Sequence, residues 1–376
     1  MAPDKFKGSL SAAQAAAALA LGVRRAVPRI VVRVAPMADG GEGTVDAFLE
    51  AGWERIAARV LGPLGEPVEA AFAREGPRAV IEAAAASGLE LVREHERRPL
   101  LASSAGTGEL LRAALDRGAR DLVVGLGGSA TTDGGSGLLA ALGARFLDRN
   151  GAQLPPGGGA LRELAQIDLD ALDSRLREVR IRAAVDVDLP LLGPRGAARQ
   201  FAPQKGAGAA EVEQLEDALA HFAEVAARTL GRDLRELPGA GAAGGLGFGL
   251  AAFLGADLAP GALLVADLRD LESELAGADW CFTGEGKIDA QTLAGKTVAG
   301  VAQLARRAGV RTVAFAGSIE PEAEAALAAL GVVAIPILDR PYEEALAQQS
   351  AFGLLARAAE RTARLLCADG PALVSP

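Results

Sequence analysis

The sequence predicts an α/β protein with a parallel sheet, divided into two domains. Three observations lead there. Short apolar runs with β-branched residues recur along the chain, each followed by a glycine-bearing loop and then a stretch of helical periodicity. Strands alternating with helices in this way build parallel sheets. One stretch, residues 53–86, breaks the pattern with strand-like pieces and no helix between them. The length of 376 residues is that of about two domains. The simplest arrangement gives residues 1–55 and 270–376 to one discontinuous α/β domain, with residues 56–269 inserted as a second, mixed α/β domain.

Taken in order, Ser11 and Gln14 form a capping box that opens a helix over the Ala/Leu stretch 12–23. Residues 30–35 predict a strand, followed by the loop 37–43 and a helix through Ala51. Within 53–86 the breaks are Gly62-Pro63, Gly65-Glu66-Pro67 and Gly76-Pro77, the punctuation of antiparallel hairpins. Further strands are predicted at 122–125, 179–185, 279–283, 312–316 and 332–338, with helices at 297–308 and 321–330. Residues 153–160 read as a Pro/Gly surface loop. Residues 237–256 carry no charge but contain Pro238 and seven glycines. That composition suits a buried glycine-rich loop leading into a core helix better than a membrane span.

Composition narrows the function classes. The chain is 50% hydrophobic and 23% charged, which excludes wholesale disorder. The formal charge is −9, and no run of Lys/Arg exceeds two, so nucleic acid is not expected as a partner. The N-terminus imitates a signal peptide only weakly, because Asp4 stands in its basic region and Gln14 interrupts its apolar one. A cytoplasmic protein with no membrane partner is expected. Two histidines, His95 and His221, and two cysteines, Cys281 and Cys367, are too few and too scattered for a zinc site or a disulfide framework. The histidines read as surface or helix-face residues, and Cys281 as strand packing. Five of the 39 basic residues are lysine: Lys5, Lys7, Lys205, Lys287 and Lys296. Each sits in or beside a glycine-bearing loop, in a chain that elsewhere uses arginine.

Four loops carry groups suited to chemistry. Residues 125–137 place six glycines and four hydroxyls between a predicted strand and a helical run. Glycines let backbone N–H groups approach an anion, and a helix start adds positive dipole. Gly127, Gly128, Ser129, Thr131, Thr132 and Asp133 are the candidate phosphate-binding residues. The loop's start also fits the dinucleotide pattern G-x-G-x-x-A, with Asp148 about twenty residues on. That keeps open an NAD(P)-dependent oxidoreductase using residues 125–130. Residues 283–297 end in Gly295-Lys296-Thr297 like the tail of a P-loop, but Ala290 stands where that pattern needs glycine. Lys296 at a helix start, with Glu285 and Asp289 nearby, still supplies both signs of charge that a magnesium–nucleotide site uses. Asp39 and Glu42 lie past the end of a predicted strand, where open α/β sheets bind ligands. Asp186 and Asp188 end another strand, and a spacing of two puts them on one face of an extended chain, suiting a metal or a general base. Residues 193–206 add Arg195, Arg199 and Lys205. No G-x-S-x-G elbow supports serine hydrolysis.

The motifs together resemble the bacterial type I glycerate kinase family. The matching segments are Ala-Pro-Asp-Lys-Phe-Lys-Gly-Ser (2–9), Ala-Asp-Gly-Gly-Glu-Gly-Thr (38–44) and Gly-Gly-Ser-Ala-Thr-Thr-Asp-Gly-Gly (127–135). Asp-Val-Asp…Pro-Leu…Gly-Pro-Arg-Gly-Ala (186–197), Pro-Gln-Lys-Gly-Ala (203–207), Gly-Ala-Ala-Gly-Gly (241–245) and Phe-Thr-Gly-Glu-Gly-Lys-Ile-Asp (282–289) with Gln-Thr…Gly-Lys-Thr (291–297) follow in the family's order. The resemblance implies ATP-dependent phosphorylation of D-glycerate to 2-phosphoglycerate. It also implies a split Rossmann-like domain, an inserted α/β domain and an active site in the cleft between them. The family carries a few more residues before Ala-Pro-Asp, completing a first strand. Leu189 replaces a usual Asn, Lys5 a usual Ser and Lys287 a usual Arg.

On this reading residues 127–135 and the Gly295-Lys296-Thr297 helix start hold the nucleotide or the transferred phosphate. Lys7 and Lys205 pair with the substrate carboxylate or the γ-phosphate. Asp186 or Asp39 is the general base, Asp188 or Glu285 lies near Mg2+, and Ser9, Glu42 and Arg195 bind substrate. A nucleotide-binding sensor without turnover is a third class.

Overall fold

The structure, a computed structural model, describes residues 1–293 and 296–367. The chain forms a mixed α/β fold with a parallel-rich sheet and falls into two compact units, residues 40–261 and residues 1–39 with 262–376.

In the unit 40–261 the strands are β1 (Glu54–Leu61), β2 (Pro67–Glu75), β3 (Arg78–Glu82), β4 (Asp121–Gly125), β5 (Arg145–Leu147), β6 (Gln166–Asp168), β7 (Arg180–Val185) and β8 (Asp257–Pro260). Six of them form one sheet in the order β1-β2-β3-β4-β7-β8, and β5 and β6 form a small antiparallel pair. The two β1–β3 connections are the hairpins expected from the Gly-Pro breaks. In the second, Glu75 pairs with Arg78, so Gly76-Pro77 is a two-residue turn, and Gly76 takes φ +56. Such primed turns need a positive φ, which glycine adopts without strain. From β3 onward the pairing is parallel. Strands β4 and β7 are buried along nearly their whole length, whereas β1 buries only two of its eight residues. Central parallel strands covered on both faces read as continuous apolar runs, which is why the sequence marks them clearly. The core beneath is dense in aromatic contact: Phe222 meets Phe146, Phe248 and Phe253 with ring centroids 5.9, 5.7 and 5.9 Å apart. Residues 237–256 hold the expected buried helix, Ala242–Leu254. Among the described residues no helix is long and apolar enough to cross a membrane.

In the other unit β9 (Trp280–Ile288), β10 (Arg311–Ile319) and β11 (Val332–Pro336) form a parallel sheet in the order β11-β10-β9. Residues 1–4 lie beside β9, and residues 33–37 lie beside residues 1–4. Ala2 and Asp4 donate backbone N–H groups to the carbonyls of Phe282 and Gly284, and Ala35 and Met37 donate to Met1 and Pro3. The strand expected at residues 30–35 is therefore displaced: pairing runs from Arg33 to Met37, and Val31 is exposed. Pro3 and Pro36 have no N–H to give, so rungs are missing and no regular strand forms. Helix Ala12–Ala26 opens with the expected Ser11–Gln14 capping box and packs on helix Glu344–Leu366. A Cβ at Gly22 would stand 2.1 Å from the carbonyl oxygen of Ala356, so only glycine permits that approach. The helices expected at 297–308 and 321–330 are Thr297–Arg307 and Pro321–Ala329.

The carboxyl ends of β4 and β7 are covered by the loop after Asp39. A Cβ at Gly125 would lie 2.2 Å from the carbonyl oxygen of Gly40, and one at Gly40 2.4 Å from Ala184 Cβ. Gly125→Ala should therefore displace backbone and lower the unfolding free energy by about 1–3 kcal/mol. Gly65→Ala, at φ +92 with nothing within 4 Å, should cost only about 1 kcal/mol, the strain of a left-handed alanine. Urea midpoints of the two variants distinguish close backbone approach from conformational strain alone.

Candidate active site

The glycine-rich loop after β4 is organised by one carboxylate. Asp133 Oδ2 accepts hydrogen bonds from Ser104 N (2.8 Å), Ser104 Oγ (2.9 Å) and Gly137 N (3.2 Å), and Oδ1 accepts from Gly135 N (3.1 Å). Burial pushes this carboxyl above its ordinary range, and the Ser104, Gly135 and Gly137 donors pull it back. Ser104 precedes helix Ala105–Asp116 and Gly135 precedes helix Ser136–Ala141, so one carboxylate serves the starts of two helices.

Lys205 supports the same loop from inside. It is delivered by the turn Pro203–Lys205, which ends at Gly206 with φ +98. Its Nζ donates to Ser129 Oγ at 3.0 Å and to the carbonyl oxygen of Thr131 at 2.5 Å. Only 3% of the residue is exposed, and burial pushes the ammonium down to about 7, with the charge of Asp133 opposing. The sequence pairs Lys205 with the substrate carboxylate or the γ-phosphate; in the structure its ammonium is buried against Ser129 and Thr131. Thr131, Thr132 and Asp133 are also fully buried, and the two threonine hydroxyls have no hydrogen-bond partner among the described residues. What the loop exposes is Gly128 and, in part, Gly127. The N–H groups of Gly127, Gly128 and Ser129 make no hydrogen bond to any described residue. Three consecutive free N–H groups at a strand end suit an anionic oxygen.

Close packing fixes the loop from outside. Cβ atoms at Gly158 and Gly244 would each stand 2.0 Å from a loop carbonyl, those of Thr132 and Thr131. The segment Ala243–Gly245 takes three successive left-handed conformations (φ 54, 68 and 88), and Gly244 accepts a hydrogen bond from Gly134 N. A left-handed alanine is strained and persists only when its surroundings impose it.

Asp186 and Asp188 follow the end of β7, both exposed, and Arg195 is exposed further along the same chain segment. That segment is tied down by Glu216, whose Oε1 accepts from Gly193 N at 2.6 Å and whose carboxyl burial pushes up. Glu42 is exposed on the loop over β4 and β7.

In the other unit a second set of polar groups gathers at the ends of residues 1–4 and β9. Asp4 Oδ1 accepts from Lys5 N at 2.6 Å and Oδ2 from Thr297 Oγ1 at 2.5 Å. Burial, then the negative charge of Asp39, push Asp4 up to about 6, against the Thr297 and Lys5 hydrogen bonds. Glu285 accepts from Thr292 Oγ1 at 2.7 Å and is pushed up to about 7, first by burial and then by Asp4. Lys296, half-buried, is the N-cap residue of helix Thr297–Arg307. Because Thr297 gives its single hydroxyl proton to Asp4, it presents only lone pairs to anything else. Lys7 is exposed, and Ser9 Oγ donates to the carbonyl oxygen of Phe6 at 2.9 Å. Lys287 pairs with Glu320 at 2.7 Å on the surface. Gly295 lies outside the described residues.

Sequence reasoning missed Asp4, Ser104 and Glu216 as organising groups. Asp4 lies inside a quoted motif, Ala-Pro-Asp-Lys-Phe-Lys-Gly-Ser, which was its signal. Ser104 and Glu216 gave none, because their partners are remote in sequence. Among the described residues no three His, Cys, Asp or Glu side chains converge as a metal cage, so Asp188 and Glu285 belong to no preformed cage. Magnesium–nucleotide sites need none, since one or two carboxylates and the phosphates suffice. His95 is exposed, His221 bonds the carbonyl oxygen of Leu164 from its helix, and Cys281 is packed in β9 with its thiol pushed up to about 11 by burial.

Glycine loops at the ends of parallel strands, a helix-start lysine and exposed carboxylates make this an α/β protein with candidate phosphate-binding groups. The chain belongs to the glycerate kinase family, whose model matches residues 1–367. It is 48% identical to the glycerate kinase of Bacillus subtilis (strain 168), over 98% of this chain and 96% of that one. It is 47% identical to the glycerate 2-kinase of Escherichia coli (strain K12), over 85% of this chain and 84% of that one. Among solved structures it matches a Salmonella typhimurium LT2 protein named for glycerate kinase 2, with a TM-score of 0.86, 42% identity and coverage of 98% and 97%. These relatives support the kinase reading of the sequence and not the oxidoreductase one.

Asp4 makes a stability prediction. A carboxyl held at about 6 rather than 3.8 keeps its proton longer in the folded state. Its contribution is thus most favourable below about pH 4 and is lost as pH rises to about 6, on the order of 3 kcal/mol in all. Asp4→Asn should flatten that part of the stability–pH curve. Urea midpoints of both proteins between pH 4 and pH 7 would check it, and parallel curves would count against it.

Proposed function

We propose that this chain transfers the γ-phosphoryl group of ATP to a hydroxyl of D-glycerate, giving 2-phospho-D-glycerate, as a bacterial type I glycerate kinase. The observation that carries this reading is the loop after β4: three unpartnered N–H groups at Gly127, Gly128 and Ser129, on a framework fixed by Asp133 and Lys205. Phosphoryl transfer asks a protein chiefly for positioning and for charges facing the phosphates. The finer architecture that accompanies the reading is a split Rossmann-like domain with a second α/β domain inserted. An enzyme drawing on ATP belongs in the cytoplasm.

The residue roles follow from exposure and chemistry. The Gly127–Ser129 amides, together with Gly295, Lys296 and Thr297, hold the nucleotide or the transferred phosphate. Thr131, Thr132 and Asp133 shape the loop that presents those amides. Lys7 is exposed and mobile enough on its long stem to meet a carboxylate or a phosphate. Asp186 is the first choice as general base toward the glycerate hydroxyl, with Asp39 the second. Ser9, Glu42 and Arg195 contact the substrate. Asp188 or Glu285 would hold Mg2+ arriving on ATP, which neutralises phosphate charge during transfer.

Purified protein with Mg2+-ATP should release ADP only when D-glycerate is added, in a coupled assay, and phosphorus NMR should identify the 2-phosphate. Removing a general base costs about 10²–10⁴-fold, so Asp186→Asn should lower kcat by that order. Lys7→Ala should lower kcat/KM for D-glycerate or ATP. Absence of glycerate-dependent ADP release would sink the proposal. Near-normal kcat in Asp186→Asn would move the base to Asp39.

A further inference from the structure

We propose that Lys205 is a positioning residue for phosphoryl transfer: its ammonium holds Ser129 and Thr131 from within and so shapes the exposed Gly127–Gly128 turn, without touching ATP or D-glycerate. The proposal rests on the kinase reading and says how one of its lysines acts.

Four observations support it. First, the ammonium is enclosed, and its two bonds go to neutral acceptors within the loop itself, Ser129 Oγ and the Thr131 carbonyl. Among the described residues no carboxylate lies within ion-pair distance of it, and the Asp133 oxygens are taken up by Ser104, Gly135 and Gly137. Second, an unpaired buried ammonium is costly, as its lowered affinity for protons reflects. A side chain needed only to fill space would be apolar. Third, the Thr131 carbonyl has little room for another donor. Gly244 packs so closely that its Cβ would sit 2.0 Å from that oxygen. Fourth, the residues flanking the Lys205 contacts are pinned to a different segment. Gly128 accepts from Leu89 N at 2.8 Å, and Ala130 N donates to the Ser87 carbonyl at 2.8 Å. With Lys205 added, each residue from Gly128 to Thr131 has an anchor, while the Gly127–Ser129 amides have no partner among the described residues. The turn carrying Lys205 is itself fixed, since Arg97 Nη1 donates to the Gln204 carbonyl at 3.1 Å.

The test is Lys205→Met, which keeps chain length and removes the charge. Three readouts are expected together. In the ligand-free protein, hydrogen–deuterium exchange of peptides covering residues 127–135 should quicken, while the strands beneath exchange as in wild type. kcat should fall by about 30-fold or more, with KM for ATP and for D-glycerate within about threefold of wild type. Tm should stay within about 4 °C, because losing the buried charge offsets the two lost hydrogen bonds. The double variant Lys205→Met/Ser129→Ala should be little slower than Lys205→Met, as residues acting as one unit are non-additive. Unchanged exchange in the ligand-free protein, with KM for ATP raised about tenfold, would make Lys205 a direct phosphate contact and overturn the proposal. A Tm drop matching the activity loss, with exchange raised throughout the unit, would reduce it to a general stability residue and overturn it equally. If Lys205→Met fails to fold, the exchange of residues 127–135 in Ser129→Ala decides: quickening supports the inward anchor, and no change refutes it. A wild-type protein with no glycerate-dependent ADP release would sink the kinase reading, whereas the ligand-free exchange arm would still report on the anchor.

Discussion

Four hydrogen bonds on the Asp133 carboxylate hold together the part of the chain on which the glycine-rich loop after β4 depends. A carboxylate removed from water without partners would cost several kcal/mol. Here it is met by backbone N–H groups from two helix starts and by the Ser104 hydroxyl. That arrangement dictates neighbouring residues. Gly137 has no room for a side chain, because a Cβ would stand 2.2 Å from Ser103 Oγ and 2.9 Å from Asp133 Oδ2. Ser104 Oγ donates to Asp133 and accepts from Leu138 N at 3.0 Å, so its one proton and one lone pair are both committed. One glycine of this loop is thus a consequence of placing a buried acid where two helices begin.

The other unit uses a related device. Asp4 ends an extended segment beside β9 and receives the hydroxyl of Thr297, the first residue of a helix. In both units an internal aspartate receives hydrogen bonds from a helix start. Asp186 and Asp188, past the end of β7, are instead exposed. The internal acids hold shape, and the exposed ones meet solvent and whatever enters with it.

How much of this was legible in the sequence depended on whether the signal was local. Strands β4, β7, β9 and β10 were readable because burial on both faces makes a parallel strand continuously apolar. The Ser11–Gln14 capping box and the Gly-Pro hairpins were readable because each is set by residues three or fewer apart. The run at 30–35 looked like a strand, yet its pairing is displaced to 33–37, because its partner is the prolyl segment 1–4 and that choice is tertiary. In the candidate site the residue types were legible and their depth was not. Sequence reasoning assigns Ser129, Thr131, Thr132 and Asp133 to phosphate and Lys205 to the substrate carboxylate or the γ-phosphate, but all five are buried, and Gly158 and Gly244 pack on the Thr132 and Thr131 carbonyls in an approach no local pattern announces.

The lysines show what depth changes. In a chain with five lysines and 34 other basic residues, all arginine, the retained ammonium groups looked alike. Their surroundings separate them. Lys287 pairs with Glu320 in solvent, an interaction of little energetic weight that arginine could make as well. Lys7 is exposed at a turn, and Lys296 stands at a helix start. Lys205 differs from all of these. Its slot offers one hydroxyl and one carbonyl. An ammonium with three donors leaves one unmatched there. A guanidinium, with five donors in a rigid plane, would leave three, each costing about 1–3 kcal/mol when buried. The choice of lysine at that position follows from the number of acceptors behind the loop, a count fixed by the fold before any ligand arrives.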